Sequence, residues 1–268
     1  VLRWRAVNVP EGFPRRFVGQ VGLVTGAGGA IGRESALRLA REGASVAVAD
    51  VRLAAAQETV ALLEAEGSDG LALECDVRDE ASVERMVAAC IERFGRIDVL
   101  HNNAGVLIPG TALTQRLEDW DLHFAVNVKG VLLVARAVIP HMQRQGGGAI
   151  VNTGSTASLV GEPNCVSYDS TKGAVLQLSR QMAIDFAKDG IRVNCVCPGW
   201  IDTGFNDPIF DDAGMTAREI DEAVKQAIPM NRQGTAADVA PSVAFLLSDD
   251  AAYVTGTSLV IDGGFVAQ

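Results

Sequence analysis

The stretch 21-VGLVTGAGGAIG-32 decides the fold. A short apolar run, VGLVTG, leads without a break into a glycine cluster, 25-TGAGGAIG-32, and the helical pattern GRESALRLAREG follows. Strand, glycine turn and helix in that order gather backbone N–H groups and the positive end of a helix at one point, which suits a pyrophosphate. The next apolar run, SVAVAD (45–50), ends on Asp50, where a carboxylate can accept hydrogen bonds from the hydroxyls of an adenosine ribose.

Outward from this unit the pattern repeats. LALECDV (71–77), IDVLHNNAG (97–105), GAIVNTGS (148–155), IRVNCVCPG (191–199) and TSLVIDGG (257–264) are valine-rich runs separated by longer amphipathic stretches. Strands alternating with helices predict an α/β chain: one doubly wound Rossmann domain with a seven-stranded parallel sheet and helices on both faces. No linker or internal repeat divides it. Residues 19–268 are expected to form the catalytic domain. Residues 1–18 carry arginines without an apolar core, and are read as an extension outside the fold rather than a secretory signal. The rhythm breaks at about 200–230, a long insertion before the last strand, of the kind that serves as a substrate loop.

Composition narrows the function. The chain has 268 residues, 48% of them hydrophobic, and a formal net charge of −10, which argues against nucleic acid or an acidic membrane as partner. No apolar run of membrane-span length stands out. The five cysteines show no C-x-x-C spacing and the three histidines no metal-site pattern, so no metal is expected; buried thiols fit a reducing, cytoplasmic setting.

The chemistry is concentrated in 165-CVSYDSTKGAV-175. Tyr168, one of only two tyrosines, precedes Lys172 by one helical turn, so phenol and ammonium share a face. A cation nearby is expected to lower the phenol from its ordinary value near 10 and let it act as an acid or base. Ser155 ends the fifth strand, at the carboxyl edge where open α/β sheets collect ligands. Asn127 sits inside a helical stretch; a buried asparagine there predicts a local kink or a bound water.

Taken together, T-G-x-x-x-A-x-G at 25–32, NNAG at 102–105, Ser155 with Y-x-x-x-K, and Pro198-Gly199 resemble the short-chain dehydrogenase/reductase family over roughly residues 19–264. Ala30 stands where the family often has glycine. The resemblance implies a catalytic tetrad of Asn127, Ser155, Tyr168 and Lys172. It implies NAD held by Gly26, Gly28, Gly29, Ala30, Ile31 and Gly32, by Asp50 and Val51, and by Asp76 and Val77 around the adenine. Asn103, Ala104 and Gly105 would line the cofactor's ribose. Tyr168, Lys172, Pro198, Gly199, Ile201 and Thr203 would hold the nicotinamide half. Asp50 would repel a 2′-phosphate, favouring NAD over NADP.

The implied reaction moves hydride between NAD(H) and a hydrophobic secondary alcohol or ketone. The apolar loop residues Trp200, Phe205, Pro208, Ile209, Phe210 and Met215 favour such a substrate. Ser155, Asn164, Cys165, Trp200 and Phe205 are its candidate contacts. Alternatives are a 3-ketoacyl-carrier-protein reductase, which Asp50 disfavours, and a non-catalytic NAD-binding regulator. Helices near 117–142 and 168–188 are apolar on more than one face and so need more than one partner. In the family such helices pair across a two-fold axis, with a second interface by the last strand, so the resemblance implies a homotetramer, with a dimer next.

Overall fold

The computed structural model describes residues 14–268. The valine-rich runs become strands β1 (Val21–Thr25), β2 (Ser45–Asp50), β3 (Gly70–Glu74), β4 (Val99–Asn102), β5 (Gly148–Thr153), β6 (Ile191–Pro198) and β7 (Ser258–Ile261). All pair in parallel in the order β3-β2-β1-β4-β5-β6-β7. β1 therefore lies between β2 and β4, and the chain reverses its direction of travel there. That switch point opens a crevice at the carboxyl edge of the sheet.

Alternation along the strands sends side chains to two cores. Leu23, Ala47, Leu100 and Ile150 face one layer, packed under α3 (Glu80–Phe94), α5 (Val131–Gln145) and α6 (Val166–Phe186). Val24, Val46, Val48 and Val151 face the other, under α1 (Ala30–Arg41), α2 (Leu53–Ala65) and α9 (Ala236–Leu247). A strand buried on both faces has no polar side to show, which is why the runs read as continuously apolar. Cys75, Cys90, Cys165, Cys195 and Cys197 are free and buried.

Two sequence expectations change. The extension placed at residues 1–18 ends earlier. Phe17 is fully buried in the second core, and Arg16 bonds the buried Glu42 at 2.8 Å and Asp250 at 3.1 Å. Burying a phenyl ring and satisfying a buried carboxylate ties this segment to the domain. Residues 1–13 of that extension lie outside the described residues.

The insertion at 200–230 is not a loop but two helices, α7 (Asp207–Asp212) and α8 (Ala217–Ala227). Thr216 caps α8 reciprocally with Glu219, an arrangement that satisfies otherwise unpaired N–H groups.

Helix α4 (Leu117–His123) continues through a π-helical segment, Phe124–Gly130, into α5. Among the described residues this composite is long and apolar enough by composition to span a membrane. It is a core helix here, with 56% of its most apolar window buried inside the molecule.

Candidate active site

The crevice is a cavity of about 540 Å³ lined from the ends of β1 to β6. At one end lie Gly26, Gly29, Ala30, Ile31, Asp50, Val51, Asp76 and Val77. At the other lie Ser155, Tyr168, Lys172, Pro198, Gly199, Ile201 and Thr203, with Asn103, Ala104 and Gly105 between them.

The first end is shaped for an anion. Helix α1 starts at Gly29 with no side-chain cap and no acid in its first turn, so its leading N–H groups and partial positive charge stay available. Gly26 has φ 62°, and a Cβ there would sit 2.9 Å from the Ala104 Cα. Only glycine fits that close approach. Asp50 has a second duty that the sequence did not disclose. Its Oδ2 accepts from Gly28 N–H at 2.9 Å and its Oδ1 from Arg52 N–H at 3.0 Å, so the carboxylate also braces the glycine turn.

Two of the glycines expected to hold the cofactor are set by close packing. Gly28 and Gly32 do not line the cavity. A Cβ on Gly28 would strike Ala55 at 2.5 Å, and one on Gly32 would strike the Gly26 carbonyl at 2.4 Å. Both let helix and strand approach closely. The Asp76 carboxylate is clasped by the Arg78 guanidinium, with 2.6 Å from Nη2 to Oδ2. Arg52 and Arg78 line this end as well. An uncapped helix end, a glycine cradle and a carboxylate at the tip of β2 fit a nicotinamide dinucleotide.

At the second end, α6 carries Tyr168 and Lys172 on one face. Lys172 Nζ lies 5.5 Å from the centre of the Tyr168 ring and donates to the Thr153 carbonyl at 2.8 Å. Ser155 leaves β5 in extended conformation, and its hydroxyl accepts from Ala157 N–H at 3.2 Å. Ser158 then donates to the Lys172 carbonyl at 2.8 Å, tying the serine turn to α6.

Asn127 does not line the cavity; it sits buried behind it, in the π-helical segment. It bonds both main-chain groups of Val106, at 2.8 and 3.0 Å, and Thr171 at 3.1 Å. A Cβ on Gly105 would lie 3.5 Å from Asn127 Oδ1 and 3.7 Å from Lys172 Nζ, so the two side chains flank that glycine.

The electrostatics reverse one expectation. Tyr168 is not held acidic by Lys172. Burial pushes the phenol above its ordinary range. Contact with the Ser155 hydroxyl opposes that shift, while Glu162, Cys165 and Asp169 add to it. Lys172 is itself buried and falls to about 8, burial outweighing its neighbours. Desolvation disfavours the charged form of each, which a reading of spacing alone does not weigh.

Of the residues expected to touch substrate, only some line the cavity. Trp200 and Phe205 line the cavity, and the Phe205 ring centre is 6.0 Å from that of Tyr168. Asn164 and Cys165 do not line it. Asn164 turns to Asp212, donating at 2.7 Å, and Cys165 is buried against Leu107, Ala157 and Tyr168, its thiol pushed up to about 12 by burial. The loop residues Pro208, Ile209, Phe210 and Met215 also stand outside the lining. Sequence reasoning missed Leu107, Thr156, Glu162 and Asn206, which do face it. Trp200 is braced from behind by Phe265, 5.9 Å away, and Gln268 donates to the Ala227 carbonyl at the end of α8.

Comparison with known proteins shows the family and the fold. Residues 26–266 match the family model described as Enoyl-(Acyl carrier protein) reductase. A curated relative, the 2-(R)-hydroxypropyl-CoM dehydrogenase of Xanthobacter autotrophicus, is 42% identical over 252 residues, covering 92% of this chain and 99% of its own. Among solved structures, levodione reductase superposes with a TM-score of 0.90 at 36% identity, over 94% of this chain and 99% of that one. NAD+-bound xylitol dehydrogenase superposes with a TM-score of 0.88 at 35% identity, over 93% and 100%. The chain therefore belongs to the short-chain dehydrogenase/reductase family and is an oxidoreductase.

Proposed function

We propose that the chain is an NAD-dependent dehydrogenase or reductase of secondary alcohols and ketones, with Tyr168 as its acid–base group. The observation that supports this reading is one cavity joining two chemistries. Asp50 and an uncapped helix end lie at one extreme, and the Ser155 hydroxyl, Tyr168 phenol and Lys172 ammonium converge at the other. Asp50 favours a free ribose 2′-hydroxyl over a 2′-phosphate through charge repulsion. Arg52 and Arg78 line the same end, so the preference is one of degree.

When bound, the nicotinamide accepts or supplies the hydride. Ser155 orients the substrate oxygen and meets its developing charge with a hydroxyl. Tyr168 gives that oxygen a proton during carbonyl reduction and takes it back during alcohol oxidation. Because burial holds the phenol protonated, it stands ready as the donor near neutral pH, and oxidation requires it to ionise. Rate constants for oxidation should accordingly climb with pH from about 6 to about 9 while those for reduction do not. Lys172, anchored on Thr153, presents a cation beside the phenol, and Asn127 fixes the backbone of Val106 beneath both.

The test is absorbance of NADH at 340 nm over a panel of cyclic, aryl and aliphatic ketones and secondary alcohols, with NAD and NADP compared. Turnover with a larger kcat/KM for NAD is expected. Tyr168→Phe should lose about 10²- to 10⁴-fold in kcat, with NADH affinity within a few fold of wild type. Equal kcat/KM for NADP, or an active Tyr168→Phe, would overturn the corresponding assignment.

A further inference from the structure

The mechanism above leaves one carboxyl of the cavity without a task. Glu162 stands in the turn between β5 and α6. At the reactive end of the cavity it is the sole carboxyl among the described residues, since Asp50 and Asp76 belong to the far end. Its neighbours on that wall are largely apolar: Leu107, Val126, Trp200, Ile201 and Phe205.

Two hydrogen bonds fix where Glu162 sits. Its Oε1 accepts from the Thr156 hydroxyl at 3.0 Å, and Thr156 is the residue after Ser155. Its backbone N–H donates to the Asp169 carboxylate at 2.7 Å, and Asp169 is the residue after Tyr168. The residue is thus strapped, carboxyl on one side and main chain on the other, between the neighbours of the two groups that would hold the substrate oxygen. Its second oxygen, Oε2, receives no hydrogen bond among the described residues. Burial raises this acid, and Asp169 adds to the effect. A half-buried acceptor with a free oxygen beside apolar walls is stabilised by any ligand that brings it a donor.

Resting on the dehydrogenase reading above, we infer that Glu162 is a specificity residue that accepts a hydrogen bond from a second hydroxyl on the substrate, carried on a carbon close to the reacting carbinol. The preferred substrates are then diols and hydroxyketones of modest size rather than simple alcohols. The apolar wall takes the hydrocarbon, Ser155 and Tyr168 take the reacting oxygen, and Glu162 takes the other.

The test compares butane-2,3-diol with butan-2-ol, which differ by one oxygen, in wild type, Glu162→Gln and Glu162→Leu, with the remainder of the alcohol panel as reference. In the wild type, kcat/KM should favour the diol. In Glu162→Leu the diol-to-alcohol ratio should fall by about 10- to 100-fold, the range of one hydrogen bond to a charged group. The fall should appear mainly in KM. Glu162→Gln keeps an oxygen for Thr156 and guards against a misfolded leucine variant; its ratio should fall by a smaller factor in the same direction. A ratio that stays constant in both variants while the wild type turns over both substrates overturns the role of Glu162 alone. Absence of turnover across the whole panel overturns the dehydrogenase reading and this inference with it.

Discussion

At the scale of the residue, the i, i+4 spacing of Tyr168 and Lys172 was legible because helical geometry alone puts them on one face. The sign of the shift on the phenol was not, because it depends on how much protein surrounds it. His101 makes the same point away from the site. It is wholly buried, its Nε2 lies 2.9 Å from the Thr153 hydroxyl, and its Nδ1 has no partner among the described residues. Burial takes it down to about 3, against about 6.5 in an unfolded chain. Between those values the unfolded state binds one proton more than the native state, so stability rises with pH across that window and falls on acidification. Chemical denaturation at pH 7 and pH 5 should show a loss about 2 kcal/mol smaller in His101→Gln than in wild type. An identical loss would show that other groups carry the acid sensitivity.

At the scale of the element, seven strands could be read from valine-rich runs, since strands buried on both faces carry no polar interruptions. The helices of 207–227 could not be seen through their Pro, Gly and acidic residues, although T-x-x-E at 216–219 was a start signal that went unused. Asn127 announced an irregularity, but no side-chain period marks a π-turn, so its form came only from the structure. That turn aims Asn127 at both main-chain groups of Val106. Asn127→Ala leaves a buried N–H and a buried carbonyl without partners and should cost about 2 to 4 kcal/mol by urea denaturation. Its kcat should fall as well, since Val106 lines the cavity. A loss below about 0.5 kcal/mol would mean that water replaces the amide without penalty.

At the scale of the whole molecule, the glycine loop and the seven-stranded parallel sheet were foreseeable, while the packing of residue 17 into the domain was not. Phe17 is separated from its partners in α1 and α9 by long stretches of chain, and nothing local to it signals burial. Phe17→Ala should cost about 3 to 5 kcal/mol, the usual loss for a buried phenyl ring. Retention of the wild-type denaturation midpoint would return residue 17 to the extension. Assembly belongs to this scale too. Leu117, Leu132 and Ile184, on α4, α5 and α6, are exposed apolar groups, and they support the proposal of a homotetramer. Light scattering at micromolar concentration should give four chains; a monomer would refute it.

Phe265 packs against Trp200 at 5.9 Å, and Gln268 bonds the end of α8, so residues far along the chain from the reacting groups hold one wall of the cavity in place. Substitutions that remove either support, Phe265→Ala or Gln268→Ala, should therefore register in KM for the alcohol while coenzyme affinity stays unchanged.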